Sequence, residues 1–271
     1  IFAGMPVFDA ITTSFSTAGT GGFGIKNDSL TSYSVSVQWI VTVFMILFGI
    51  NFNAYYLIFF GNIKKVLELE EVRYYLGIIL FSIVVISCNI YSMCQGLFDT
   101  ITKSSFQVAS IITTAGFTTT DFALWPKTSQ IILVMLMFVG ACAGSTGGGI
   151  KVSRFVILFK TIFKEFNSYI HPHSVKKIKM DGKSIEHDVI RSVNVHMITF
   201  IALFAISVFI ISFENLDLTT TFTAVATTIN NVGPGLELVG PTHNFADFSV
   251  LSKYVFIFDM IAGRLELFPL L

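Results

Sequence analysis

Residues 113–121 read Thr113-Thr114-Ala115-Gly116-Phe117-Thr118-Thr119-Thr120-Asp121 and residues 20–23 read Thr20-Gly21-Gly22-Phe23, so the chain spells one short loop twice. A looser third copy, Asn230-Asn231-Val232-Gly233-Pro234-Gly235, follows later. Each copy comes after a Ser/Thr/Phe-rich segment too brief to cross a bilayer, and each is followed, beyond a polar patch, by a long apolar run. That is a repeated re-entrant unit. A glycine at the centre of such a loop permits backbone angles that turn carbonyl oxygens inward, and rings of inward carbonyls can replace the hydration shell of a potassium ion. The residues therefore read as a cation pore.

Composition points to the membrane independently of any motif. The chain is 53% hydrophobic, only 13% charged, and 29 of its 271 residues are Phe, which with a mean hydropathy of +0.75 lies far from a soluble average. Five apolar runs are long enough to span: 35–60, 74–94, 131–163, 193–213 and 250–271. The third is too long for a straight crossing and is interrupted by Gly140-Ala141-Cys142-Ala143-Gly144-Ser145-Thr146-Gly147-Gly148-Gly149. Packing through small residues would explain Gly140 or Gly144 singly. Three consecutive glycines are different, because each destabilises helix by roughly 1 kcal/mol relative to Ala. In a bilayer, non-helical backbone survives only where protein or water satisfies it, so this break predicts a flexible intramembrane loop beside a cavity.

Net charge is zero, so no overall field points to nucleic acid or to an acidic partner. Basic residues concentrate between Lys151 and Arg191, with Lys64, Lys65 and Arg73 after the first run, whereas the segments holding the Gly loops carry only Lys26, Lys103, Lys127 and Lys253. The positive-inside rule then places the Gly loops on the outer side and the 151–191 segment in the cytoplasm. Asp28, Asp121, Glu237 and Asp247 would line the outer mouth, as a cation-concentrating rim or as ordinary solvated loop acids. Cys88, Cys94 and Cys142 lie in or beside apolar runs without CxxC spacing and read as buried thiols. His171-Pro172-His173 reads as a surface turn rather than a metal pair, with no Cys or carboxylate ligand near it. Gly144 to Lys151 superficially echoes a phosphate-binding loop, but Ile150 separates the glycines from the Lys, no Ser or Thr follows it directly, and a strand is lacking. No nucleophile–base pair appears, so the chain does not read as an enzyme.

The internal repeat sets the organisation. Each full unit is helix, short pore helix, Gly loop, helix, giving residues 1–73 as one repeat without its first helix, 74–170 as a complete repeat with a broken second helix, 171–190 as a cytoplasmic loop and 191–271 as a further repeat. The fold expected is all-α and integral to the membrane, pseudo-fourfold, with three of four filter loops present. Pore helices are expected over 8–17 and 98–112. A ring of carbonyls closes naturally with four loops, so one further unit and one outer helix are expected N-terminal to Ile1. In the second loop Thr113, Thr114, Ala115 and Gly116 offer successive carbonyls, with a Thr hydroxyl as an additional oxygen, and the C-terminus of the pore helix aims its partial negative charge at them. The first loop offers Thr20, Gly21 and Gly22, with Gly22 in the place of Gly116. The third offers Asn231, Val232 and Gly233, and has no Thr directly before its Gly. Such unequal loops predict weaker discrimination against sodium than four identical strands would give.

Taken in order, Gly4-Met5-Pro6-Val7-Phe8-Asp9-Ala10 running into Phe15-Ser16-Thr17, Gly21-Gly22-Phe23, Thr113 to Asp121 followed by Trp125-Pro126, Ala143 to Lys151, Asn230 to Gly235, and Gly263-Arg264-Leu265-Glu266 resemble the TrkH/KtrB superfamily of potassium-uptake membrane subunits. The stretch after the third run is nearer TrkH than KtrB. The resemblance implies a bacterial inner-membrane protein of four covalently joined helix–pore–helix repeats that takes up potassium. It also implies a homodimer working with a cytoplasmic, nucleotide-binding, TrkA-like regulatory ring. Potassium would be held at the filter residues only, and this chain would carry no cofactor, any nucleotide belonging to the regulatory partner. In the family the Gly147-Gly148-Gly149 segment is the gate, and the Arg matching Arg264 projects into the pore below the filter. On physical grounds alone an Arg in an apolar span faces water, pairs, or snorkels, and Asp259 and Glu266 are its candidate partners. A secondary transporter coupling potassium to sodium or protons is the alternative, with the same two acids as candidate coupling sites.

Overall fold

The computed structural model describes residues 1–61, 63–171 and 177–265, with the backbone alone at 63, 64 and 67. It is helical throughout apart from a two-stranded hairpin, β1 (Lys179–Met180) with β2 (Lys183–Ser184). Glu266, Pro172, His173 and Lys176 lie outside the described residues.

Helix α1 (Val7–Ala18) leads through the first loop to α2 (Val35–Phe48), α3 (Phe52–Phe59) and the short α4 (Ile63–Glu68). Then α5 (Glu70–Ile90) drops to α6 (Leu97–Ile112), the second loop, α7 (Lys127–Phe138) and α8 (Val152–Ile170). After the hairpin come α9 (His187–Ile211), α10 (Leu218–Ile229), the third loop and α11 (Val250–Arg264). The expected pore helices are therefore present within a residue at each end. At 12, 16 and 12 residues, α1, α6 and α10 are too short to cross a bilayer at 1.5 Å per residue. Asp217 caps α10, accepting the Thr220 amide at 2.8 Å, and this hydrogen bond holds its carboxyl below the usual range.

Two helical stretches are long and apolar enough to span, Glu70–Met93 and His187–Glu214. Their outer faces carry exposed Leu80, Phe81 and Val84 on α5 and Ile198, Ile201 and Phe209 on α9, as lipid-facing helices must. The run 35–60 is not one straight helix. It breaks at residues 49–51 and turns by 93° between α2 and α3. The third run breaks as expected, with no helix from 139 to 151. The two breaks face each other and supply each other's hydrogen bonds: Cys142 N–H donates to Gly49 O at 3.0 Å and Phe52 N–H to Gly144 O at 3.0 Å. Non-helical backbone at membrane depth is tolerable only with such partners.

Helix α6 is buried on nearly every side from Thr100 to Ile112, enclosed by α2, α5 and α7. The largest core cluster gathers Tyr75, Ile79 and Ile86 of α5, Ile111 and Ile112 of α6 and Leu133 and Met137 of α7. Helix α1, by contrast, buries only Thr13 and Thr17 and leaves Phe8, Ile11 and Phe15 exposed. Of the three cysteines only Cys142 is buried, and Cys88 is exposed on α5, so apolar context alone did not decide their burial.

Candidate functional site

The three Gly loops share one backbone. Each pore helix ends with a residue in the left-handed region, Thr20 (φ 48°), Thr114 (φ 55°) and Asn231 (φ 57°), and two residues later comes a glycine that is also left-handed, Gly22 (φ 68°), Gly116 (φ 80°) and Gly233 (φ 107°). Gly21, Ala115 and Val232 between them have negative φ. The helix ends close in the same way. The amides of Gly21, Ala115 and Val232 donate to Ser16, Ser110 and Thr227 O at 2.8, 2.9 and 2.9 Å, and those of Thr20, Thr114 and Asn231 to Thr17, Ile111 and Thr228 O at 3.2, 3.0 and 3.1 Å. This is the Schellman closure. Backbone that alternates in handedness presents successive carbonyls on one side and amides on the other, which a carbonyl ligand shell requires. Asn tolerates the left-handed conformation, whereas a β-branched Thr there is a genuine outlier. Such strain is characteristic of functional loops.

The loops touch in sequence. A side chain on Gly22 would overlap the Ala115 carbonyl, and one on Gly116 would overlap the Val232 carbonyl. The first loop thus packs on the second and the second on the third. On the remaining side a cavity of about 720 Å³ separates the first loop from the third, lined among others by Thr20, Gly21, Asn231, Val232, Gly233 and Arg264.

The 139–151 segment lies against all three loops. Gly148 N–H donates to Thr114 Oγ1 at 2.6 Å and Thr20 Oγ1 donates to Thr146 O at 2.9 Å. A Cβ on Gly148 would lie 2.8 Å from Asn230 O, and one on Gly147 would lie 3.2 Å from Thr113 O. A side chain on Gly148 would therefore collide with the end of α10, one on Gly147 with Ala141 Cβ at 2.6 Å, and one on Gly149 would crowd the Gly140 backbone at 3.1 Å. The hydroxyl of Thr114, in the loop where a Thr hydroxyl was expected as an extra ion ligand, here ties down this segment, and so does that of Thr20. Asn231 differs, its Nδ2 donating to Met260 O of α11 at 3.1 Å.

Two charged residues of this segment's surroundings were not anticipated. Lys151, counted in the sequence among cytoplasmic charges, is buried and its Nζ donates to Gly147 O. Glu71, at the start of α5, is also buried, and its Oε1 accepts the Ala143 amide at 2.7 Å and the Ser153 amide at 3.0 Å. It clasps both ends of the interruption. The acidic pair Glu70-Glu71 in the first turn of α5 was the only sequence signal for it. Arg264 lies at the end of α11 with Nη2 3.3 Å from Gly19 O, at the floor of the cavity. Asp259 does not pair with it. That carboxylate is fully buried and accepts Ser207 Oγ at 2.8 Å. Of the acids expected at the outer mouth, Glu237 stands 3.9 Å from Lys127 and Asp121 caps a short turn through Ala123 N–H at 3.0 Å. Among the described residues no three His, Cys, Asp or Glu come together as a metal site.

With this geometry in view, the chain was compared with known proteins. The family model described as TrkH, cation transport protein, matches residues 2–87 and 78–271. The Trk system potassium uptake protein TrkH of Salmonella typhimurium is 36% identical over 276 residues, covering 100% of this chain and 56% of the relative. The Trk system potassium uptake protein TrkG of Escherichia coli is 32% identical, covering 99% and 56%. The crystal structure of the potassium transporter TrkH from Vibrio parahaemolyticus superposes with a TM-score of 0.92 at 34% identity, over 99% of this chain and 58% of that one. The chain spans a little over half the length of the curated relatives it matches. Its residues and its fold agree on one assignment: the chain belongs to the TrkH family of cation transport proteins, membrane proteins that transport ions rather than enzymes.

Proposed function

We propose that this chain forms three quarters of a potassium-conducting filter and its gate. The observation that carries the reading is the shared backbone at Thr20–Gly22, Thr114–Gly116 and Asn231–Gly233, left-handed at both ends and with negative φ between, chained loop to loop through carbonyl–glycine contacts. In the full-length protein a fourth loop fills the open side between the first and third loops and covers the bare face of α1. The carbonyls then stand in for water around a dehydrated potassium ion, and the three pore-helix C-termini add their partial negative charge. The 139–151 segment plugs the path below, and Arg264 adds a positive barrier there. The relatives, named as Trk system potassium uptake proteins, support potassium as the ion. The loops face outward in the bacterial inner membrane, two copies pair, and a TrkA-like cytoplasmic subunit carries the nucleotide that works the gate.

A coupled symporter is the second reading. The buried Oδ2 of Asp259, without a hydrogen-bond partner in the structure, is the observation in its favour, since a carboxyl that carries a proton has this environment. Single-channel recording of the full-length protein decides between them. Discrete currents that reverse at the potassium equilibrium potential and ignore the proton gradient support the pore. Flux with a fixed proton or sodium stoichiometry that disappears in Asp259→Asn supports symport.

A further inference from the structure

The three loops are alike where they leave their helices and unlike on the way back. In the second loop the returning limb is held from two sides. Ser110 Oγ donates to Phe117 O at 2.6 Å in a fully buried contact. On the other side Thr118 N–H donates to Ser29 Oγ at 3.1 Å, and Leu30 N–H donates to Thr118 O at 3.1 Å. Ser29 and Leu30 belong to the preceding repeat, and Ser29 is itself left-handed, φ 53°, a conformation that aims both groups at Thr118.

The third loop is held differently. Thr227, in the place of Ser110, turns its hydroxyl back to Ala224 O at 3.0 Å within its own helix, and that limb is held further along, by Leu236 N–H to Thr223 Oγ1 at 3.2 Å and Gly235 N–H to Val239 O at 2.6 Å.

We infer that Ser110 and Ser29 are positioning residues that fix the spacing of the second loop, and that this loop sets the preference for potassium over sodium. The inference rests on the filter reading above. A smaller ion needs its oxygens closer together, so a loop free to move inward accommodates sodium, while one pinned from behind on one side and from a neighbouring repeat on the other does not follow it.

The test uses the full-length protein, with potassium-to-sodium permeability ratios from bi-ionic reversal potentials and membrane abundance measured in parallel. Ser110→Ala is expected to lower the ratio by about fivefold, the factor that one lost hydrogen bond of ~1 kcal/mol represents. Ser110→Thr, which keeps the hydroxyl, is expected to stay near the parent. Ser29→Gly keeps the left-handed backbone while removing the hydroxyl, and decides the matter if Ser110→Ala fails to reach the membrane. An unchanged ratio in Ser110→Ala and Ser29→Gly, or an equal fall in Ser110→Thr, overturns the inference. If Gly116→Ser also conducts potassium normally, the filter reading itself fails; if Gly116→Ser blocks conduction while the serine variants keep their ratio, only the positioning role falls.

Discussion

Thr114 Oγ1 accepts the amide hydrogen of Gly148 at 2.6 Å, so one residue is both the left-handed turn of the second loop and the anchor of the segment beneath it. Thr20 does the same from the first loop through Thr146 O. Loop and plug therefore share atoms, and a movement of one strains the other. Asn231, with its side chain committed to α11, leaves the third loop outside this linkage.

Deleting Gly147 to Gly149 removes the Gly148 contact and the backbone packed under Thr113 and Asn230. The expected result is a higher potassium flux that no longer depends on the cytoplasmic partner, read as uptake with and without that subunit. Loss of flux from a folded, membrane-inserted deletion would place the gate elsewhere.

Gly116→Ser tests the loops themselves. Any Cβ there overlaps the Val232 carbonyl and sits on a backbone of φ 80° that side chains rarely adopt. Uptake at low external potassium should fail in a transport-deficient strain although the protein reaches the membrane. Normal uptake at unchanged apparent affinity would remove Gly116 from the filter.

The glycines of the loops were legible in the sequence because left-handed backbone leaves few residue types to choose from, and the repeat made the choice visible three times. The substitution of Asn231 for Thr follows the same physics, since Asn is the other residue at home there. The interruption at 139–151 was legible because consecutive glycines oppose helix. The companion break at 49–51 was not, because Gly49 and Asn51 sit inside an otherwise apolar run and the break is stabilised by Cys142 and Gly144, far away in sequence. The burial of Lys151 and the pairing of Asp259 with Ser207 were hidden for the same reason. A charge count assigns a side of the membrane, and only the packed neighbours say whether the charge faces out or in.

Glu71 offers a test of how the interruption is held. Glu71→Ala leaves the Ala143 and Ser153 amides without their acceptor, at a cost of about 1–3 kcal/mol for each buried group. Glu71→Gln keeps an acceptor oxygen in the same place. The expected order of thermal stability in detergent is parent, then Gln, then Ala, with partner-independent flux rising in the reverse order. Equal stability of all three would mean that the clasp contributes nothing to the segment.

Arg264 connects the gate to charge. Its guanidinium reaches Gly19 O and lines the cavity between the first and third loops, so on the proposed function a potassium ion just below the filter would meet a positive group there. The barrier it raises depends on hydration and is partly screened by salt. Arg264→Ala should therefore increase maximal uptake per molecule, most at low ionic strength, while Arg264→Lys keeps the charge and stays close to the parent. If the residue serves only to anchor the end of α11, the Ala change lowers membrane abundance and leaves transport per molecule unchanged. Uptake normalised to surface protein, measured for both variants at two salt concentrations, separates these accounts, and a salt-independent result in Arg264→Ala would exclude an electrostatic barrier at this position.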